Sequence, residues 1–222
     1  MANIVIAGAN RGIGLQLARK LAARKDRVLA ACRSPSAELL EVEGVDVVEG
    51  VDVTEEAGVE KLVSAVKGMD IDIYIHNAGI LHSDGLGNLD LDSLRRQMEV
   101  NAFAPLRTSL ALLPNMAKPG GKIAWLTSRM GSITDNTSGG MYGYRMSKCA
   151  LNMAGVSFAH DIEGDGVALA LLHPGYVKTD MTNNSGNILP ADSARGLIER
   201  IDALTLETTG TFWHMNGDVL PW

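Results

Sequence analysis

Tyr144 and Lys148 stand four residues apart in Tyr-Arg-Met-Ser-Lys, a spacing that places two side chains on one face of a helix. A phenol of ordinary pKa, about 10, is a poor acid and a poor base near neutrality. A fixed ammonium beside it favours the phenolate and draws that pKa toward the working range. A phenol so placed can pass a proton to or from a substrate oxygen. Tyr and Lys also meet at this spacing by chance in many helices, so the pair takes its meaning from its company. Ser128, in Leu-Thr-Ser-Arg-Met-Gly, is a hydroxyl able to donate to a carbonyl oxygen and turn it toward Tyr144, with Thr127 and Ser132 as local rivals. Asn101 enters through Pro105. Proline lacks an N–H, so the carbonyl four residues earlier, on Asn101, loses its helical partner. That freed acceptor can hold a water joining Lys148 to solvent; a merely kinked core helix would carry the same proline.

A second group of residues has the chemistry of phosphate binding. Gly8-Ala9-Asn10-Arg11-Gly12-Ile13-Gly14 separates the apolar run Ile4–Ala7 from a stretch with helical periodicity, in which Ile13, Leu17, Ala18 and Leu21 recur. A glycine loop there offers backbone N–H groups and a helix N-terminus to a pyrophosphate. The spacing is Gly-x-x-x-Gly-x-Gly, a variant of the dinucleotide fingerprint; a plain glycine-rich turn has the same composition. The next apolar run ends Ala31-Cys32-Arg33, without the acid that would accept hydrogen bonds from an NAD ribose. Arg33 and Arg11 are guanidinium donors fit for a 2′-phosphate, which favours NADP. As alternatives, both are solvated surface arginines. Asp52-Val53 follows the third run, where a carboxylate can meet adenine or serve as an ordinary turn residue.

These residues need a frame. Apolar runs at Ile4–Ala7, Arg27–Ala31, Val45–Val48, Ile71–Ile75, Lys122–Leu126, Val167–Leu172 and Thr211–Trp213 alternate with amphipathic stretches. Several are nearly continuous in Val, Ile, Leu and Ala, as strands covered on both faces must be. The pattern predicts a doubly wound, Rossmann-like parallel sheet of about seven strands with helices on both faces. Ser128 and Asn77-Ala78-Gly79 would then lie at carboxyl ends of strands, where ligands bind in such sheets. The stretch holding Leu91, Leu94, Met98, Leu106 and Leu110 reads as one helix, and Asn183–Asn187 as a mobile loop.

A chain of 222 residues supports one sizeable core rather than two, so residues 1–222 are expected to form a single domain containing both dinucleotide cleft and substrate pocket. Its net charge of −6 argues against nucleic-acid or anionic-membrane partners. No apolar run approaches the roughly 20 residues that span a bilayer. Cys32 and Cys149 read as buried free thiols suited to a reducing, cytoplasmic setting. His160, His173 and His214 show no metal-ligand spacing, so no metal is expected. The missing Gly-x-Ser-x-Gly elbow disfavours a hydrolase.

Taken in order along the chain, Gly8, Gly12, Gly14, Asp52, Asn77-Ala78-Gly79, Asn101, Ser128, Tyr144, Lys148, Pro174-Gly175 and Thr179 resemble the motifs of the short-chain dehydrogenase/reductase family. The likeness covers essentially the whole chain. It implies a catalytic tetrad of Asn101, Ser128, Tyr144 and Lys148. Tyr144 would be the general acid/base, and Lys148 both its pKa modifier and a ribose ligand. Ser128 would orient the carbonyl, Asn101 would hold a relay water, and Pro174, Gly175, Val177 and Thr179 would line the nicotinamide pocket. It also implies a homodimer or homotetramer paired through the helices that carry Asn101 and Tyr144. The close of the chain, from Gly210 to Trp222, is similar to C-factor and sniffer-type carbonyl reductases. Three departures stand out: Ala7 where Thr is usual, His76 where a first Asn is common, and a long interval from Ser128 to Tyr144 containing Asp135–Gly140. The expected activity is NADP-dependent interconversion of a small-molecule carbonyl and an alcohol. The rivals are an NAD-preferring alcohol dehydrogenase and a dinucleotide-binding regulatory or signalling protein. The mouth is expected from Leu81–Leu89, Ser132–Tyr142 and Tyr176–Ile188, with Met141, Tyr142, Tyr176 and Met181 as wall residues suited to aldehydes, quinones or diketones.

Overall fold

The computed structural model describes residues 1–222. The apolar runs become β1 (Asn3–Ala7), β2 (Arg27–Ala31), β3 (Val45–Val48), β4 (Ile73–His76), β5 (Lys122–Leu126), β6 (Ala168–His173) and β7 (Phe212–His214). All pair in parallel, in the order β3-β2-β1-β4-β5-β6-β7. Three strands have the bounds that hydrophobicity predicts; the others slide by one or two residues, because ladder pairing rather than apolarity ends a strand. Ile71 illustrates this: it leaves the fourth strand to form an isolated bridge with Met116, while β4 continues to His76.

Seven helices connect the strands: α1 (Gly12–Ala23), α2 (Ala37–Leu40), α3 (Glu56–Ala65), α4 (Leu91–Met98), α5 (Ala104–Leu112), α6 (Tyr142–Glu163) and α7 (Pro190–Ala203). Alternation along the strands gives two cores, one on each face of the sheet. Val5, Ala7 and Trp125 pack with Leu62, Leu112, Leu151 and Phe158 from α3, α5 and α6. Ile4, Ile6 and Leu172 pack with Leu17, Leu21, Leu197 and Ile201 from α1 and α7. The chain runs outward from β1 to β3, then crosses to β4 on the other side of β1. That reversal opens a crevice at the carboxyl ends of β1 and β4, the position where sheets of this topology receive ligands.

One expectation is corrected. The stretch from Leu91 to Leu110 is not one α-helix, because Glu99–Phe103 form a π-helical turn between α4 and α5. There the Ala104 N–H donates to the Glu99 carbonyl, five residues back. Pro105 explains the break, since its missing N–H interrupts the regular ladder at Asn101 and the turn widens to compensate. Asn183–Asn187 is a loop, tied at several points to the segment that follows β6. Tyr176 and Ser185 share a hydrogen bond of 2.5 Å, the Asn187 N–H donates to the Tyr176 carbonyl at 2.8 Å, and Gly186 packs directly on the backbone of Val177 and Lys178.

Candidate active site

The glycine loop is shaped by contacts that leave no room for side chains. Gly8 has φ of +84°, a left-handed conformation, and a Cβ there would lie 2.6 Å from the Ala78 nitrogen. A Cβ on Gly14 would strike the Gly8 carbonyl oxygen and the Asn77 carboxamide. Asn77 Nδ2 donates to that same carbonyl at 2.6 Å. The N–H groups of Asn77 and Ala78 donate to the Ala7 carbonyl at 2.9 and 3.0 Å, so backbone and Asn77 brace the loop where Ala7 supplies no hydroxyl. Asn10 ties the loop to the segment after β2, its Oδ1 accepting from the Ser36 N–H and its carbonyl from the Ser36 hydroxyl at 2.8 Å. Ile13 packs partly against the α1 core. No side chain caps α1, which leaves its first N–H groups available to a phosphate. An uncapped helix behind a cradle that any Cβ would fill fits a dinucleotide.

Around that loop the other cofactor candidates fall into two groups. Thr179 lies against Gly12, its Cγ2 3.3 Å from where a Cβ would project, and Arg11 pairs with Asp180 at 2.7 Å. Pro174, Gly175 and Val177 lead into that segment from β6; the Pro174 carbonyl accepts from the Ser193 hydroxyl and the Val177 carbonyl from the Thr182 hydroxyl. At the other end, Arg33 is largely exposed and 3.9 Å from Asp52. Asp52 accepts from the N–H and hydroxyl of Thr54. These bonds and Arg33 outweigh burial and hold its carboxyl below the usual range. Val53 turns its side chain into the core and its carbonyl toward Arg107. Arg11 and Arg33 thus have different acidic partners, and a joint phosphate clamp would require Arg11 to leave Asp180.

The polar residues converge on the buried face of α6. Lys148 Nζ lies 5.9 Å from the Tyr144 ring centroid and donates to the Leu126 carbonyl at 2.9 Å. Gly131 allows this approach: a Cβ there would sit 2.8 Å from the Lys148 carbonyl oxygen. Gly79 lies beside Lys148 and the Asn101 side chain, with positions 3.7 and 3.3 Å from its missing Cβ. The Asn101 carboxamide is fully engaged, exchanging two hydrogen bonds of 2.8 Å with the Ile80 backbone and donating to the Ser147 hydroxyl at 3.0 Å. Among the hydroxyls, Thr127 donates to Asn152 at 2.6 Å and Ser132 accepts from the Asp135 N–H. Ser128 is the one beside the Tyr144 phenol.

Electrostatics correct the expectation that the ammonium dominates the phenol. Burial pushes the Tyr144 pKa up, and the Ser128 hydroxyl only partly offsets this. Burial also brings the Lys148 ammonium down to about 7. Desolvation is the largest cause of both shifts. His76, in place of the usual Asn, turns away from the glycine loop into a chain with Tyr74 at 2.9 Å. Tyr74 donates to Thr108 at 2.7 Å, and Thr108 to the Ala104 carbonyl. Desolvation, with Lys148 nearby, lowers His76 to about 3.

Some residues at the site escaped the sequence reading. Gln97 and Asp84 are buried: Gln97 accepts from the segment after β4, and Asp84, within that segment, accepts from the amino end of α6; Ser147 and Ser36 complete the bonds above. Only Gln97 had a sequence signal: it lies four residues before Asn101, one turn away on the same strip. The inserted segment is pinned as well, with Arg129 paired to Asp135 at 2.5 Å and Arg145 donating to the Ser138 hydroxyl at 2.9 Å.

Comparison with known proteins agrees with this geometry. Residues 2–188 match the family model described as short chain dehydrogenase. The chain is 45% identical, over the full length of both proteins, to a 1-hydroxy-2-glutathionyl-2-methyl-3-butene dehydrogenase of Rhodococcus sp. (strain AD45). Among solved structures it is similar to the carbonyl reductase Sniffer of D. melanogaster, with a TM-score of 0.93 and 28% identity over all of both chains. The NADPH-bound carbonyl reductase from chicken fatty liver gives a TM-score of 0.92 at 28% identity, covering 100% of this chain and 99% of that one.

Proposed function

The chain belongs to the short chain dehydrogenase family, and we propose that it is an NADP(H)-dependent oxidoreductase interconverting an aldehyde or ketone with the corresponding alcohol. The observation that carries this reading is the meeting of Tyr144, Lys148, Ser128 and Asn101 beside the crevice between β1 and β4. NADP(H), when bound, supplies or accepts the hydride. Its pyrophosphate would rest on Gly8, Asn10, Arg11, Gly12, Ile13 and Gly14. Its adenine would meet Asp52 and Val53, with Arg33 facing the 2′-phosphate. Asn77, Ala78, Gly79, Pro174, Gly175, Val177 and Thr179 would hold the nicotinamide half. The neighbouring reductase with NADPH bound and the absence of an acid at the end of β2 both support the phosphorylated cofactor.

For reduction, Ser128 would turn the substrate oxygen toward Tyr144, which protonates it as negative charge develops. Lys148, poised at about 7, can both bind a ribose hydroxyl and relay a proton. The Asn101 backbone carbonyl, in the π-turn, is the place for a water that returns the proton from solvent; its side chain is already committed. Cleft and substrate mouth would belong to one domain spanning residues 1–222. Phe103, Leu110, Met146 and Met153 are half or more exposed on α5, α6 and the π-turn. With the groove of about 490 Å³ lined by Met98, Ile133, Met146 and Met153, they support self-association through these helices.

The test is Tyr144→Phe. NADPH binding should stay within about twofold and turnover should fall by roughly two orders of magnitude or more, the usual contribution of a general acid. Near-normal turnover would refute the role given to Tyr144. A second reading follows from the 45% relative: the same site working as an alcohol dehydrogenase on a glutathionyl alcohol. Oxidation of such a conjugate with NAD outpacing carbonyl reduction with NADPH would select it.

A further inference from the structure

Two alternate residues after β4 are each held by a buried polar side chain. Ile80 exchanges both backbone hydrogen bonds with the Asn101 carboxamide, and the His82 N–H donates to Gln97 Oε1 at 3.1 Å. Asn101 and Gln97 are both fully buried and one turn apart, so a single strip of side chains lays this segment down in extended form. Two residues on, Asp84 is delivered to the amino end of α6. Its Oδ1 accepts from the Tyr142 N–H at 2.5 Å and its Oδ2 from the Gly143 N–H at 3.0 Å; its carbonyl accepts from the Met141 N–H at 2.9 Å. Three successive amides of the helix start are thereby satisfied by one residue 58 positions away. Met141, the N-cap position, is in a left-handed conformation with φ of 53° and offers no side-chain cap. Gly143 presses on Gln97 and Asp84 so closely that a Cβ would collide with the Gln97 carboxamide.

We infer that Asp84, set in place by Gln97 and Asn101, is a positioning residue that fixes the height of Tyr144 above Lys148. Tyr144 is the third residue of α6, inside the first turn, which frays most readily when its N–H groups are unpaired. Lys148 lies beyond that turn and takes its own hold on Leu126. Loss of Asp84 should therefore move the phenol relative to the ammonium, and leave the ammonium and the glycine loop where they are. The same contact joins the mouth segment to the general acid, so substrate pressing on residues 80–84 acts directly on the first turn of α6.

This inference rests on the proposed function for its kinetic arm but not for its structural one. Asp84→Ala should lower kcat by roughly 10- to 100-fold, as expected for a displaced catalytic group, with the NADPH dissociation constant changed less than about threefold. Asp84→Asn retains one acceptor oxygen and the side-chain shape, and should recover most of kcat; it also serves if the alanine variant does not fold. Independently of turnover, hydrogen exchange in residues 141–147 should accelerate about tenfold or more in Asp84→Ala, with residues 151–163 unaffected. A purely structural role would lower Tm and leave kcat and the local exchange at wild-type levels; that result overturns the inference. Wild-type protein inactive on every carbonyl and alcohol tried would refute the proposed function, while the exchange arm would still decide the role of Asp84.

Discussion

Burial governs the charges at this site more than neighbouring ions do. Lys148 at about 7, His76 at about 3 and the raised Tyr144 all follow first from desolvation. Of the two arginine cofactor candidates, Arg33 is the more loosely held: it is largely exposed and pairs with Asp52 at 3.9 Å, against 2.7 Å for Arg11 and Asp180. An exposed guanidinium earns little from a distant carboxylate but more from a phosphate that it can grip through two N–H groups. Arg33→Asp should therefore weaken NADPH about tenfold or more in a fluorescence titration and leave NADH nearly unchanged. An unaltered preference would shift the phosphate contact to Arg11, released from Asp180.

At the scale of elements, helices are brought to the cleft by glycines that permit contact. Gly14 starts α1 against the Gly8 carbonyl and Asn77, and Gly131 lets α6 settle on the turn after β5. The π-turn does the complementary task by leaving a carbonyl of Asn101 outside the regular ladder while its side chain secures Ile80. Gly14→Ala should overpack the loop at a cost of about 1–3 kcal/mol. For a chain of this length that corresponds to a fall in Tm of very roughly 2–12 °C. The same variant should bind NADPH more weakly, because the loop and the first turn of α1 must move apart. A thermal melt paired with a cofactor titration checks both effects, and an unchanged melt would show that the contact relaxes freely.

For the whole molecule, buried histidines make stability depend on acid. His76 and His173 have an ordinary pKa of 6.5 and are lowered to about 3 in the fold, by desolvation first. Between those values the unfolded chain holds protons that the folded chain refuses, so stability increases as pH rises through the window. Each group contributes a slope of about 1.4 kcal/mol per pH unit. Urea unfolding at pH 4.5 and at pH 6.5 should therefore differ, and His76→Asn should reduce the difference by about 2 kcal/mol. An identical pH dependence in that variant would mean that His76 takes up its proton in the native state. No helix of the chain is long and apolar enough to cross a membrane.

The sheet, its helices on both faces, the glycine loop and the Tyr144–Lys148 pair were legible in the linear order of residues, because each rests on local periodicity or short spacing. Alternating apolar runs specify strands, and a four-residue interval specifies a shared helix face, without knowledge of what lies opposite. The break at Asn101 was readable only in part, since Pro105 announces a lost hydrogen bond but not the π-turn that absorbs it. Other features depended on the folded chain alone: Ser128 rather than Thr127 or Ser132 beside the phenol, Arg11 held by Asp180, and Asp84 capping α6 from 58 residues away. The direction of the Tyr144 and Lys148 shifts belongs with these. Charge state and side-chain partnership are set by burial and by contacts across the fold, and neither has a period that can be read along a chain.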